Sequence, residues 1–212
     1  AFIRRKLEDY MYQKELENGY KYVYTPIIAH KKLYETSGHL AHYKEDMYSP
    51  IDIEGEEYYL KPMNCPHHHM IYKHGQMSYK DLPLRLAEFG LVHRFERSGV
   101  LTGLIRARAF TQNDSHIYCQ KSQLKGELIE VLKLFKEVYN DFNIADFWYR
   151  LSLPDFKNEE KYGDIKDKKM WEESAEVAEQ SLKDFGVKYE KIEGEATFYG
   201  PKIDVQTKNV LG

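Results

Sequence analysis

Two long segments rich in strand-forming residues constrain the fold of this chain more than any other feature of its sequence. They cover residues 84–95 and 106–118, and a loop at residues 97–103 separates them. Two such runs around a glycine-containing connection are typical of an antiparallel pair of strands joined by a flexible tip. The sequence therefore predicts a long β-hairpin in the middle of the chain.

The rest of the chain alternates between helical and strand patterns. Helices are predicted at residues 2–18, 66–74, 121–142 and 170–185, from apolar residues at helical spacing, an initial Pro66 and terminal glycines. Strands are predicted at 20–28, 58–63, 147–153, 187–192 and 203–207, a hairpin around Glu54-Gly55 at 51–59, and a charged loop at 157–169. Without internal repeats or a Ser/Gly linker, this pattern predicts one α+β domain over residues 1–212, with a mainly antiparallel sheet flanked by helices.

Composition excludes several classes of protein. The chain is 42% hydrophobic and 31% charged, which is typical of a globular protein rather than a disordered one. Its net charge of -3 gives no support for a protein that only coats nucleic acid. The two cysteines, Cys65 and Cys119, are too few for a disulfide scaffold and predict reduced thiols, as in the cytoplasm. No apolar run approaches the roughly 18 residues that span a bilayer, so no membrane partner is expected.

One face of the second predicted strand carries an unusual set of side chains. Alternate residues of a strand share a face, so this face presents Arg106, Arg108, Phe110, Gln112, Asp114 and His116, and on the first strand Arg94 and Glu96 share a face. The face of the second strand carries hardly any aliphatic residue, so it is poorly suited to packing against a helix. A ring between arginines can stack on a planar ligand, and arginine binds phosphate well. A ligand-binding face is the interpretation we favour, and a solvated sheet face is the alternative.

These residues also carry a family resemblance. Arg94-Phe95-Glu96, followed after the loop by residues 103–116, resembles motif 2 of class II aminoacyl-tRNA synthetases in the form found in threonyl-tRNA synthetases. Further segments are similar to that family in the expected order: 19–26 (motif 1, at the dimer interface), 37–39, 61–66 and 198–202. The resemblance implies a class II catalytic core that is incomplete at its C-terminal end, with motif 3 expected beyond Gly212.

The resemblance implies a role for each matching residue in binding ATP and threonine. Arg94 would act in catalysis by holding the α-phosphate and the threonine carboxylate. The other implied contacts are Glu96 to the adenine amino group, Phe110 stacked on adenine, Arg106 to the outer phosphates, Gln112 to the threonine carboxylate, and Tyr199 and Lys202 closing the amino-acid pocket. Met63 is a further candidate for that pocket, with ordinary packing as its alternative. Mg²⁺ is expected to accompany ATP.

The same resemblance implies a zinc ion. Cys65 and His116 resemble two of the three protein ligands of zinc in this family, and the third is expected beyond Gly212. Thiolate and imidazole are suitable zinc ligands, and a three-ligand site leaves a position open for substrate. Asp114 would accept a hydrogen bond from the threonine hydroxyl, so valine, which lacks that group, would be rejected.

Four other histidines receive separate interpretations. His67, His68 and His69 would point in different directions on a helix, so we predict a partly exposed helix start rather than a metal site. The resemblance implies that His39 assists proton transfer when threonine moves to tRNA, and the alternative is a polar surface residue.

Taken together, these residues and their resemblance imply an enzyme that activates threonine with ATP and passes it to tRNA(Thr) in the full-length protein. The expected assembly is a homodimer in the cytoplasm. The alternative is a truncated non-catalytic core, or a paralogue that folds and binds threonine or dimerises without aminoacylation.

Overall fold

The computed structural model describes residues 1–158, 162, 168–197 and 199–208. The chain divides into two compact units, Ala1–Tyr118 and Cys119–Gly212.

The N-terminal unit combines short helices with two small sheets. Its elements are α1 (Phe2–Glu17), β1 (Lys21–Tyr22), β2 (Ile28–His30), α2 (Lys31–Thr36), α3 (His39–His42), β3 (Ile51–Ile53), β4 (Glu56–Leu60), α4 (Cys65–His74), β5 (Leu84–His93) and β6 (Ala109–Tyr118). The first helix ends as predicted, because Gly19 adopts the left-handed φ of +77° that glycine tolerates best. The β3–β4 turn also forms as predicted, with positive φ at both Glu54 and Gly55.

The central hairpin is confirmed as an antiparallel pair. In the first sheet, of order β1-β5-β6, β1 runs parallel to β5 and β5 runs antiparallel to β6. Glu88 lies opposite Asp114 and Leu86 lies opposite His116. Both strands end sooner at the tip than predicted. There, Arg94 N still donates to Arg108 O over 2.9 Å, but the chain then leaves the regular ladder.

The second sheet of this unit has the order β2-β4-β3 and is antiparallel throughout. Beside it lies a small apolar cluster of Tyr34, Met47 and Tyr59, all of them buried. Strand β2 begins only at Ile28, so the strand predicted over residues 20–28 is two short strands separated by the segment around Pro26. Proline cannot donate to a sheet ladder, which explains the interruption.

The C-terminal unit packs two helices against a three-stranded sheet. Its elements are α5 (Leu124–Asp141), β7 (Phe147–Leu153), α6 (Lys168–Phe185), β8 (Tyr189–Glu193) and β9 (Lys202–Thr207). The sheet order is β8-β7-β9, with β7 parallel to β8 and antiparallel to β9. Its apolar core consists of Leu132, Tyr149, Leu151, Ala178 and Leu182. Most of the predicted charged loop and Phe198 of the predicted 198–202 turn lie outside the described residues.

The predicted α+β class with antiparallel-rich sheets is confirmed. Among the residues that the structure describes, no helix is both long and apolar enough to cross a bilayer.

Candidate active site

The face of β6 that carries the even-numbered residues is partly covered by helix α4. Asn64, the residue just before α4, donates from Nδ2 to Asp114 Oδ2 over 2.9 Å. His68 and His69 of α4 form hydrogen bonds to His116 and Tyr118, at 2.9 and 2.8 Å. The expectation that this face is unsuited to helix packing is therefore wrong for its C-terminal half. The helix packs there through hydrogen bonds instead of aliphatic contacts.

The predicted nucleotide residues lie together at the other end of the face. The guanidinium carbon of Arg94 lies 5.2 Å from the centre of the Phe110 ring, which places a cation over an aromatic face. Arg94 Nε also donates to the Pro62 carbonyl over 3.3 Å. Glu96 Oε2 accepts from Arg106 Nε at 3.1 Å, in a pair whose arginine is exposed. Because exposed ion pairs are weak, an incoming anion can compete for Arg106 at little cost.

The predicted metal donors lie where α4 begins and on β6. Cys65 is the first residue of α4. It interacts electrostatically with Asp114 and with Tyr118, which precede and follow His116 by two residues on the same face of β6. Burial raises the pKa of the Cys65 thiol to about 11, and the Asp114 carboxylate adds to this. Burial lowers the pKa of His116 to about 4, so its imidazole is neutral at pH 7.

These two side chains fit zinc in their chemistry. Sulfur and neutral imidazole nitrogen are the ligands that zinc prefers, and a bound cation would itself lower the pKa of the thiol. Within the ranges that the structure describes, no group of three His, Cys, Asp or Glu side chains is arranged to hold a metal ion. The described residues thus contribute two donors of the right kind and no third.

His39 is not a surface residue, which corrects one of the two interpretations offered for it. It opens the short helix α3 and is buried, with an exposed fraction of 5%. Its Nδ1 lies 2.9 Å from the Ser37 hydroxyl. Burial lowers the pKa of His39, so a neutral imidazole that can accept a proton is present at pH 7.

The His67–His69 run differs from its prediction in burial. His67 and His68 are buried, with exposed fractions of 8% and 0%, so this is not a partly exposed helix start. The three rings do point in different directions, as predicted. His67 faces Tyr34, with ring centres 6.3 Å apart, whereas His68 and His69 face β6.

For the remaining predicted site residues, the structure gives burial and neighbours but no contact with the residues above. Gln112 is half-buried on β6 opposite Gly90, and Met63 is half-buried next to Asn64. Tyr199 and Lys202 belong to the C-terminal unit, where Tyr199 is exposed and Lys202 Nζ lies 3.0 Å from Asp204 Oδ1. Their role in an amino-acid pocket stays a prediction.

A buried polar network on the same sheet face, where Glu88 lies opposite Asp114, was missed by sequence reasoning. Glu88 has an exposed fraction of 1% and accepts hydrogen bonds from the Thr25 backbone amide at 2.8 Å and from the Thr25 hydroxyl. Lys61 Nζ, fully buried, lies 3.3 Å from Glu88 Oε1, and His68 Nε2 lies 3.0 Å from Glu88 Oε2. Burial alone would raise the pKa of Glu88, but hydrogen bonds from His68 and Thr25 and the Lys61 charge outweigh it and lower the pKa to about 2.

The sequence held part of the signal for this network. Lys61 and Asn64 belong to the 61–66 segment that carries the family resemblance, which gave no role to Lys61 and made Asn64 a candidate for the pocket or for packing. Glu88 is a carboxylate in the middle of a largely apolar strand, and a buried charge at such a position is almost always paired.

Comparison with known proteins identifies the family. Residues 43–209 match the model of the tRNA synthetase class II core domain (G, H, P, S and T). The whole chain is 49% identical to a threonine–tRNA ligase of Streptococcus agalactiae and 50% identical to that of Leuconostoc mesenteroides. It spans about a third of the length of these relatives, 33% and 32%.

A solved structure gives the same answer for the fold. The crystal structure of the RNA binding domain of threonyl-tRNA synthetase from Cryptosporidium parvum matches 98% of this chain and 50% of its own, with a TM-score of 0.86 and 36% identity. Sequence and fold agree over essentially the whole length. This chain therefore belongs to the class II tRNA synthetase core domain family, and within it the chain is similar to threonine–tRNA ligases.

Proposed function

We propose that this chain forms most of a catalytic domain that activates threonine with ATP and transfers it to tRNA(Thr). The observation that carries the proposal is the arrangement on one sheet face. Arg94 and Phe110 meet at one end of it, and Cys65, Asp114 and His116 lie at the other.

In the proposed reaction, a threonine carboxylate oxygen forms a bond to the α-phosphorus of ATP. The bond from that phosphorus to the bridging oxygen breaks, and pyrophosphate leaves. Arg94 would neutralise the charge that gathers on the α-phosphate, because a positioned cation stabilises the transition state more than the ground state. Phe110 would stack on adenine, Glu96 would accept from its amino group, and Arg106 would bind the outer phosphates that Mg²⁺ accompanies.

The threonine side chain would be recognised at the α4 end of the face. Cys65 and His116 would hold zinc, which as a Lewis acid would receive the amino and hydroxyl groups of threonine. Asp114, oriented by Asn64, would accept from the hydroxyl. Gln112 and Met63 are proposed to complete the pocket within the N-terminal unit. An amino acid without the hydroxyl would leave buried polar groups unpaired and be rejected.

Further partners follow from the family. After activation, His39 would assist proton transfer as threonine moves to the tRNA ribose. We also propose a homodimer, through the segment that resembles motif 1, and a cytoplasmic location. Both proposals rest on the family alone.

The experiment that tests this function is threonine-dependent exchange of pyrophosphate into ATP. We expect exchange by the wild-type chain and its loss, by at least about a hundredfold, in Arg94→Ala. Arg5→Ala is the control, because Arg5 is exposed on α1 and forms an ion pair with Asp9 of the same helix. Exchange by Arg94→Ala at the wild-type rate would contradict the role of Arg94.

A second candidate function is a core that binds threonine or a partner without catalysis. The observation behind it is that no three His, Cys, Asp or Glu side chains in the described part of the chain are arranged to hold a metal ion. Binding of threonine measured by calorimetry, with no exchange activity under the same conditions, would support this second function over the first.

A further inference from the structure

The sheet of the C-terminal unit carries a group of charged side chains on the face turned away from its helices. Leu151 of β7 belongs to the apolar core that includes residues of α5 and α6. Alternate residues of a strand point to opposite faces, so Arg150 and Ser152 lie on the other face. In the register of β7 and β9, Asp204 lies opposite Arg150. Lys202 lies opposite Ser152, and all four side chains therefore share that face.

A single carboxylate joins this group. Arg150 donates from Nε and Nη2 to Asp204 Oδ2, over 3.3 and 3.2 Å, and the Ser152 hydroxyl donates to the same oxygen over 2.7 Å. Lys202 Nζ lies 3.0 Å from the other oxygen, Oδ1. Burial alone would raise the pKa of Asp204, but the hydrogen bonds from these three neighbours outweigh it and hold that pKa below its ordinary value. Asp204 is therefore ionised at neutral pH.

The charges of this group do not balance. Two cations, Arg150 and Lys202, share one carboxylate, so one positive charge is left over. Glu190 of β8 lies opposite Arg150 in the register, but it is exposed, and within the part of the chain that the structure describes it forms no ion pair with Arg150. An exposed carboxylate is screened by solvent and compensates little. The uncompensated charge favours the binding of an anion.

The accessible donors suit a phosphate group. Asp204 uses two of the five N–H groups of Arg150. Side-chain exposed fractions of 24% for Arg150 and 34% for Lys202 leave both cations within reach of a ligand. Arginine and lysine both bind phosphate oxygens well. Because Asp204 already holds the two side chains, little of their conformational freedom is lost when an anion binds.

We infer that Arg150 and Lys202 form a binding site for a phosphate group. Asp204, fixed by Ser152, is the residue that positions both cations. The family resemblance gave Lys202 a place in the amino-acid pocket and gave the other three residues no role. The inference goes beyond the proposed activation of threonine, and it is tested by binding alone.

The competing interpretation is a closed ion-pair network that only joins β7 to β9. In that case Asp204 satisfies both cations, and added phosphate acts on them through ionic strength alone. A site binds phosphate saturably, whereas a closed network does not.

The first experiment follows local signals, because Arg94 and Arg106 of the N-terminal unit are also expected to bind phosphate. The ¹⁵N-labelled chain is titrated with inorganic phosphate at constant ionic strength, after assignment of its backbone amides by triple-resonance spectra. We expect saturable shifts of the amides of Ser152 and Asp204 and of the Arg150 Nε–Hε signal. The absence of saturable shifts at these places would overturn the inference. The amide shifts of the wild-type chain decide it even if no variant folds.

Substitutions test whether the two cations make the site. We expect Arg150→Gln and Lys202→Gln each to weaken phosphate binding by about 10–100-fold, because each removes a hydrogen bond between charged groups. Lys191→Gln is the matched control, since it removes a lysine of the same sheet that pairs with Glu179 at 2.7 Å. It should leave the affinity within about twofold, because a distant exposed charge is screened. An equal loss in the control and in the two variants would overturn the inference.

Two further probes identify the source of the phosphate group. Pyrophosphate represents the polyphosphate chain of a nucleotide, and a short single-stranded RNA without terminal phosphate represents a nucleic-acid backbone. The probe that saturates the same shifts at the lower concentration identifies the source. If the chain shows these shifts but no threonine-dependent exchange, the proposed function fails and the phosphate site stands.

Discussion

At the scale of single residues, the chain buries charges where a domain normally buries aliphatic groups. Lys61 and Glu88 are hidden from solvent together with Thr25, and each charge is satisfied by the others. Such a group is neutral to stability when complete and costly when one member is removed, because the remaining charge stays buried. The site is thus supported by an arrangement that tolerates little change.

Removing the charge of Glu88 tests this dependence. In Glu88→Gln the Lys61 ammonium loses its counter-ion, and we expect the free energy of unfolding to fall by about 3–5 kcal/mol, measured by urea titration. Glu56→Gln is the control, since Glu56 is exposed and pairs with an exposed His30, and its change should stay within about 0.5 kcal/mol. Equal midpoints for Glu88→Gln and wild type would show that the buried pair does not stabilise the fold.

The pH dependence of stability offers a second test of the same residue. The pKa of Glu88 is about 2 in the folded chain, below its ordinary value of 4.5. The stabilisation is therefore complete above about pH 4.5 and is lost as the pH falls toward 2, by about 3 kcal/mol in all at roughly 1.4 kcal/mol per pKa unit. We expect the stability gap between wild type and Glu88→Gln to shrink between pH 5 and pH 3 in urea titrations. A gap that stays constant over this range would contradict the low pKa.

These residues also mark the limit of what the sequence could predict. Arg94 and Phe110 were each predicted to contact a ligand from the central hairpin, and the structure does bring their side chains together. Glu88 and His68 were not, since they are 20 residues apart on different elements and belong to residue types that are usually exposed. Only the packing of α4 on the sheet brings them together.

At the scale of elements, α4 is the part that organises the site. It begins with Cys65, presents His68 to both Glu88 and His116, and is preceded by Asn64, which holds Asp114. Its boundaries were predicted to within one residue from Pro66 and Gly75. Its docking was not predicted, because an apolar stripe is the usual signal for packing and this contact is polar.

Gly90 allows this close approach of α4 and β5. A Cβ atom at position 90 would lie 2.2 Å from Asn64 Oδ1, and Asn64 is fully buried. We expect Gly90→Ala to destabilise the chain by about 1–3 kcal/mol through overpacking and to disturb the Asn64–Asp114 hydrogen bond. Thermal unfolding measures the first effect, and threonine binding the second.

The matched control for Gly90 is another glycine in a regular element. Gly126 lies within helix α5, where an added Cβ would meet nothing within 4 Å. Gly126→Ala should stabilise the chain by about 0.5–1 kcal/mol, because alanine favours the helix. If Gly90→Ala were as stable as Gly126→Ala, Asn64 would be able to move with no cost in the free energy of unfolding. The role of Asn64 in holding Asp114 would then be wrong.

At the scale of the whole molecule, the chain is built from two units with separate apolar clusters. Tyr34, Met47 and Tyr59 form one within the N-terminal unit, and a cluster around Leu151 and Leu182 forms one in the C-terminal unit. Periodicity predicted the elements of both units well, β7 to the residue, because each element carries its own local pattern. The grouping into units depends on contacts between distant segments, which local patterns do not encode. The single catalytic domain stays a prediction.

The effect of zinc on the melting temperature tests the proposed metal site in the whole chain. A metal that binds the folded state and not the unfolded state raises stability by about 2.7 kcal/mol at a hundred times its dissociation constant. The two cysteines of the chain form a matched pair, since Cys65 is a proposed ligand and Cys119 is not, and both are half-buried free thiols. We expect zinc to raise the melting temperature of wild type and of Cys119→Ala, and to lose this effect in Cys65→Ala. The shift in the first two proteins should disappear when a chelator is added. Equal shifts in both cysteine variants would place the metal elsewhere and remove Cys65 from the site.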